Sequence, residues 1–228
     1  MAAPATTGSL KTTVADMKIG DYITISYTGS EYSFGVTTTG LKERDIKGET
    51  DPMTGSYWYG IKVDKGFIIS DRVVQTRITW STYNANKQME GAEMNYQGFS
   101  FVARSLSGGC AFADADGNPT LNQVDIKYGA FPTTNEYDTY IKRFPSYLIK
   151  YGNTLDDVFH YNAEYTLTTD ASITGNYIYL NGKSMNVSDG YNRRIRRGVE
   201  QGDFADVFPY GINDVANTGL RPVFQYKE

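Results

Sequence analysis

Polar and apolar residues alternate through DYITISYT (residues 21–28), setting Ile23, Ile25 and Tyr27 on one face and Tyr22, Thr24 and Ser26 on the other. That two-residue period predicts a half-buried strand. SYWYGIKV (56–63) and GFIIS (66–70) are further extended runs, joined through Asp64-Lys65-Gly66, where a glycine supplies the positive φ of a tight hairpin. FSFVARSL (99–106), RRIRRGV (193–199) and GLRPVFQYK (219–227) continue the pattern. In NYIYLNGKSMNV (176–187) two runs flank Asn181-Gly182, a strong hairpin signal. Residues 29–55 and 108–120 read as loops, the former with a short hairpin. The sheet is expected to be mostly antiparallel.

Two segments break this period. ITWSTYNANKQMEG (78–91) reads as a helix with Ser81 or Thr82 as cap and Gly91 as stop, although its apolar periodicity is poor. FPTTNEYDTYIKRFP (131–145) is more explicit. Thr133 and Glu136 stand at capping-box spacing, and Tyr137, Tyr140, Ile141 and Phe144 form one apolar stripe that Pro145 ends. The expected class is α+β, an irregular twisted antiparallel sheet carrying two short helices. Residues 1–18, small and Thr-rich with little to bury, are expected to form an attachment arm on a single domain of residues 19–228.

Composition narrows the chemistry. The 228 residues include 19 Tyr, 11 Phe and 23 Gly, a palette suited to twisted strands and tight turns. A net charge of −4 argues against a general nucleic-acid binder. Cys110, the single cysteine, cannot form an intrachain disulfide. The N-terminal stretch has no basic segment followed by an apolar run, and no segment has the length of a membrane span, so cytoplasmic synthesis without membrane insertion is expected.

Several positions are candidates for chemistry. Asp114, Asp116 and Asn118 in ADADGN match the first half of a calcium loop, though the later bidentate Glu is missing and an Asx-rich turn is the simpler reading. Strand alternation puts Arg194 and Arg196 on one face and Arg193, Ile195 and Arg197 on the other. Those arginines suit bidentate recognition of an anionic surface polymer, or pairing with Asp203, Asp206 or Asp214. The loop that follows, residues 199–218, carries Phe204, Phe208 and Tyr210 among acids and glycines, which suits contact with sugars or protein epitopes. His160, in VFHYN, is expected on a strand beside Val158, as a core or half-buried histidine, and Cys110 as a small buried hydrophobe. Asp156 with Asp157, or Asp203 with Asp206, are the acid pairs a polysaccharide hydrolase would need, but their spacing does not specify that geometry.

In chain order, Pro132, Thr133, Glu136 and Tyr137, then Val158, Phe159 and Tyr161, then Arg197 and Gly198, then Gly219 and Arg221 form a series of motifs. This series resembles the C-type-lectin-like fold in the form used by the formylglycine-generating enzyme and sulfatase-modifying-factor family. The wording SLSGGCAFADADGN before the helix and GLRPVF near the end is also similar to modules of phage tail and baseplate proteins. The resemblance covers roughly the C-terminal half. It implies a lectin-like fold whose ligand-facing surface lies in the region holding Tyr191, Arg194, Arg196, Asp203, Phe204, Asp206, Phe208, Tyr210 and Asn213. The family's enzyme binds copper through a pair of cysteines near its C-terminal end, and no cysteine follows Cys110, so the resemblance implies the fold without the oxidative chemistry. The expectation is a non-enzymatic virion-surface protein without a cofactor, a tail-fibre or baseplate module. It would bind host surface glycans or proteins, attach to other virion proteins through its arm, and gain avidity as a homo-oligomer. The alternative is a structural decoration or cement protein that binds only virion subunits.

Overall fold

A computed structural model describes residues 3–198, 208–213 and 217–227. Its centre is a nine-stranded sheet with strand order Leu10–Lys11, Tyr22–Tyr27, Ser56–Asp64, Phe67–Ser70, Val223–Tyr226, Phe99–Arg104, Ala92–Tyr96. Tyr32–Phe34 adds to Tyr22–Tyr27, and Lys42–Glu43 to Ser56–Asp64. Most pairings are antiparallel; the Leu10–Lys11 and Lys42–Glu43 pairings are parallel. A second, five-stranded sheet runs Phe208–Gly211, Arg193–Arg197, Tyr165–Ala171, Thr218–Leu220, Gln75–Thr76. Arg221 and Pro222 carry the chain from this sheet into the middle of the first.

Alternation explains the arrangement. Ile68 and Phe224 join one core, with Trp58, Phe34, Phe101, Leu167 and Leu220; Ile69 and Val223 join a second, with Tyr137, Ile141, Phe144 and Phe159. Phe67–Ser70 is therefore buried at every position, as a strand covered on both faces must be. The first core closes the two sheets on each other in a curled, sandwich-like form. Tyr96 Oη donates to the Phe34 carbonyl at 3.0 Å, bringing the far strand of the main sheet back over the near one. Gly66 makes the expected hairpin turn with φ 65°, and a Cβ there would lie 2.1 Å from the Tyr226 carbonyl oxygen. The Asn181-Gly182 hairpin forms between Gly175–Ile178 and Ser184–Val187.

Three expectations are corrected. Residues 3–18 are packed onto the domain: Val14 and Met17 are buried, Ala5 N–H donates to the Asp157 carbonyl at 3.1 Å, and Thr6 Oγ1 donates to the Gly20 carbonyl at 2.6 Å. Val14 and Met17 lie at either end of a one-turn helix that presses both inward. The segment at Val158 is a short helix, α2 (Asp156–Phe159), rather than a strand, and His160 ends it in the left-handed region at φ 45°. The capping box is absent. The 137–142 segment, Tyr137–Lys142, is a π-helical turn with no side-chain bond at its first residue. Asn135 Oδ1 accepts the Asp138 N–H at 2.9 Å, while the Glu136 carboxylate holds Arg104 bidentately at 2.7 and 2.5 Å. The same carboxylate accepts the Ser107 N–H at 2.8 Å, so partners remote in sequence, a bidentate cation and an amide, engage it in place of its own helix start. The apolar stripe itself forms as expected, with Tyr140 only partly buried.

Helix α1 (Trp80–Ala85) forms inside the expected segment, but Thr79 is its cap, accepting the Thr82 N–H at 3.0 Å. No helix among the described residues is long and apolar enough to cross a membrane.

Candidate functional site

The Arg193–Arg197 strand sorts its side chains as alternation requires. Ile195 and Arg197 are buried, whereas Arg194 and Arg196 are half-buried on the opposite face. Each of the latter lies over aromatic rings. The Arg194 guanidinium carbon is 4.1 Å from the Trp80 ring centre and 5.8 Å from that of Tyr191. The Arg196 guanidinium carbon is 3.8 Å from the Tyr165 ring centre and 4.8 Å from that of Tyr210. Such stacks are worth about 0.5–2 kcal/mol and fix the guanidinium plane.

The rings themselves are held. Trp80 Nε1 donates to the Thr168 carbonyl at 3.0 Å, and Tyr210 sits opposite Arg194 in the ladder. Asn213 Oδ1 accepts from Ser81 Oγ at 2.8 Å, and the Ser81 N–H donates to the Ile212 carbonyl, which stitches the start of α1 to this strand. Arg194 Nη1 donates to the Tyr191 carbonyl at 2.8 Å, and its Nε is buried without a hydrogen-bond partner among the described residues. Tyr191 is 77% exposed. Tyr191, Arg194, Arg196, Tyr210 and Asn213 thus gather at one sheet with α1. Phe208 is placed by backbone alone, opposite Arg196. Asp203, Phe204, Asp206 and Asp214 lie outside the described residues. Trp80 and Tyr165 were not singled out in the sequence, because nothing local links them to the arginine strand.

Arg197 has a different fate. It is fully buried, donating from Nη2 to Asp138 Oδ1 at 2.7 Å and from Nη1 to the Gly108 carbonyl at 2.6 Å. Asp138 Oδ2 also accepts from Asn135 Nδ2 and the Ala130 N–H, each at 2.8 Å. Burial alone would raise the Asp138 carboxyl, but the Arg197 charge and these bonds hold it below the ordinary carboxylate range. Arg221, also fully buried, donates to Thr166 Oγ1 at 3.0 Å and to the Phe159 carbonyl at 2.8 Å, and burial pulls it down to about 10. Gly198 packs against Tyr137, where a Cβ would stand 3.3 Å from its hydroxyl. The motif residues Tyr137, Phe159, Arg197, Gly198 and Arg221 therefore meet in the interior. Thr133 makes no cap, and Gly219 lies in the second sheet, where a Cβ would meet the Gln75 carbonyl oxygen at 2.0 Å. These residues build the scaffold rather than a ligand surface.

His160 Nε2 is 3.8 Å from Asp71 Oδ2. Burial lowers the imidazole's basicity, and the Asp71 charge only partly opposes it. Asp71 is itself held by Arg72, whose Nη2 donates at 2.7 Å.

The remaining candidates serve turns and caps. Asp114 Oδ1 accepts the N–H groups of Asp116 and Asn118 at 2.9 and 2.8 Å, an Asx turn with Gly117 at φ 79°. Among the described residues no group of three or more His, Cys, Asp or Glu is placed to hold a metal ion. Asp157 Oδ2 accepts the Thr154 N–H and hydroxyl, and Asp156 Oδ1 accepts the Asn162 N–H. Cys110 is half-buried, and burial raises its thiol. Compared with family models, with curated proteins and with solved structures, the chain matches none.

Proposed function

We propose that the chain is a non-enzymatic adhesion module of a phage virion, a tail-fibre or baseplate protein of C-type-lectin-like architecture that binds host surface glycans or proteins. The observation that carries this reading is the pair of guanidiniums, Arg194 and Arg196, held over Trp80 and Tyr165 beside the exposed ring of Tyr191. With Nε of Arg194 buried and Nη1 held by the Tyr191 carbonyl, its Nη2 is the group suited to a carboxylate or phosphate of an anionic wall polymer. The lectin-like architecture is supported by the convergence of Tyr137, Phe159, Arg197 and Arg221 in one buried network. Attachment to other virion proteins falls to the exposed side of the docked N-terminal segment, where Leu10 is solvent-facing. Homo-oligomerisation multiplies weak contacts through avidity.

The test is adsorption of the purified chain, alone and fused to a trimerisation tag, to teichoic acid and to neutral dextran. Salt-sensitive retention on teichoic acid is expected, stronger for the trimer. Equal retention on both polymers, or none on either, contradicts the reading.

The decoration role is favoured by a different observation. Val124, Ile126, Ile178 and Leu180 are exposed around the Asn181-Gly182 hairpin, where the Leu180 N–H is tied to Gln123 Oε1. An apolar surface of this kind suits a subunit contact. Loss of particle incorporation in a Leu180→Ser variant, with polymer adsorption intact, would favour it.

A further inference from the structure

The main sheet curls without closing. In the backbone ladders Tyr32–Phe34 pairs only with Tyr22–Tyr27, and Ala92–Tyr96 only with Phe99–Arg104, among the described strands. These two edges flank a seam. The smaller of two adjoining hollows, about 210 Å³, lies between these edges against Tyr32, Glu93, Met94 and Asn95, and the larger, about 430 Å³, opens beside it against Pro52, Met53, Thr54 and Gln75, the two sharing Tyr27, Ser30, Asn86 and Gln88 in their walls. Their combined size lies in the range of small-ligand sites.

The walls are prepared for a particular chemistry. Tyr27 is half-buried, its ring braced 4.7 Å from that of Tyr32, and its hydroxyl is committed to the Gly29 carbonyl at 2.8 Å. Tyr32 is buried, and Gln88, half-buried, lines both hollows. Asn86 is exposed at the rim, directly after α1. Asn95 Oδ1 accepts from Ser100 Oγ at 2.7 Å, leaving its NH₂ to donate. Glu31 and Glu93 are exposed on opposite sides of the seam.

Each alternative ligand class meets an obstacle. The larger hollow is walled mainly by polar atoms, which disfavours a lipid-like ligand, and Glu31 and Glu93 outnumber Lys87 in the smaller one, which disfavours an anion. A peptide strand cannot run the length of the seam, because Tyr96 Oη already bridges to the Phe34 carbonyl. Side-chain amides that donate and accept, with carboxylates that accept, beside one aromatic face match the hydroxyls of a sugar ring.

We propose that the seam between the Tyr32–Phe34 and Ala92–Tyr96 edges is a binding site for a short uncharged oligosaccharide, with Tyr27 as its stacking wall and Asn86, Gln88 and Asn95 as its polar contacts. It is separate from the arginine face and joined to it by α1, whose Trp80 end supports Arg194 and whose far end leads into Asn86.

The experiment titrates the full chain with trimers of N-acetylglucosamine, glucose and galactose, following backbone amide shifts. At least one trimer is expected to give saturable shifts confined to residues 27–32, 86–88 and 93–95. Tyr27→Ala and the surface change Asn86→Ala, which leaves the core untouched, should each weaken that trimer about tenfold. Arg194→Ala should leave it unchanged, so failure of the arginine face and failure of the seam are told apart. Absence of saturable shifts with all three trimers, or binding that survives both Tyr27→Ala and Asn86→Ala, overturns the proposal.

Discussion

Arg197 and Asp138 form a 2.7 Å ion pair with neither side chain reaching solvent. The neighbouring Arg196 lies on the other face of the same strand, over Tyr165. One strand thus divides its arginines between a structural and a surface role, and the two roles make different predictions.

Removing one partner of a buried pair strands a charge, which costs about 3–5 kcal/mol. Arg197→Ala and Asp138→Ala are each expected to lose stability of this order in denaturant titrations, and the double variant less than the sum. The Asp138 contribution is fully present above the unfolded carboxyl value of about 3.9 and is lost as pH falls through its depressed folded value. The wild type should therefore show an acid-limb loss that Asp138→Asn lacks.

His160 predicts a second pH dependence, in a higher window. Burial depresses it, with Asp71 and Asp156 opposing and Arg72 and Arg221 adding to the effect. The unfolded chain takes up the proton near pH ~6.5 while the folded chain resists, so stability falls as pH drops below that value. His160→Asn tolerates the left-handed backbone and should flatten the slope between pH 7 and 5 in thermal melts.

The end of the π-helical segment separates the expected cap from the observed one. Thr133→Ala is expected to change stability by less than about 0.5 kcal/mol. Asn135→Ala removes bonds to Asp138 and to the Ala130 and Pro132 carbonyls, and should cost about 1–3 kcal/mol in the same titration.

Phe224 stands on a central strand against Phe34 and Tyr32, both 4.9 Å away between ring centres. Phe224→Ala should destabilise by about 3–5 kcal/mol. A loss under 1 kcal/mol would show that the C-terminal strand is not integral to the sheet.

Local chemistry made much of this legible. Alternation located the Tyr22–Tyr27, Ser56–Asp64 and Arg193–Arg197 strands, and Gly66 and Asn181-Gly182 marked the hairpins after Ser56–Asp64 and Gly175–Ile178 because backbone sign is a local property. Long-range competition hid the rest. Glu136 has the spacing of a cap, but Arg104, distant in sequence, takes its carboxylate. Asp138 carries no local sign of Arg197, and the stacking of Arg194 on Trp80 joins segments with no sequence proximity. Residues 3–18 lacked a long apolar run, yet Ala5, Val14 and Met17 bury themselves and the Ala5 and Thr6 hydrogen bonds add to their docking.

The most direct measurement is retention on teichoic acid of the wild type beside Arg194→Lys and Arg194→Ala. A guanidinium over Trp80 cannot be replaced by a point charge, so both variants should lose retention at least about tenfold while melting temperature falls only by the few degrees that about 0.5–2 kcal/mol implies. Full retention by Arg194→Lys would reduce the arginine face to diffuse positive charge, and full retention by Arg194→Ala would remove it from binding altogether.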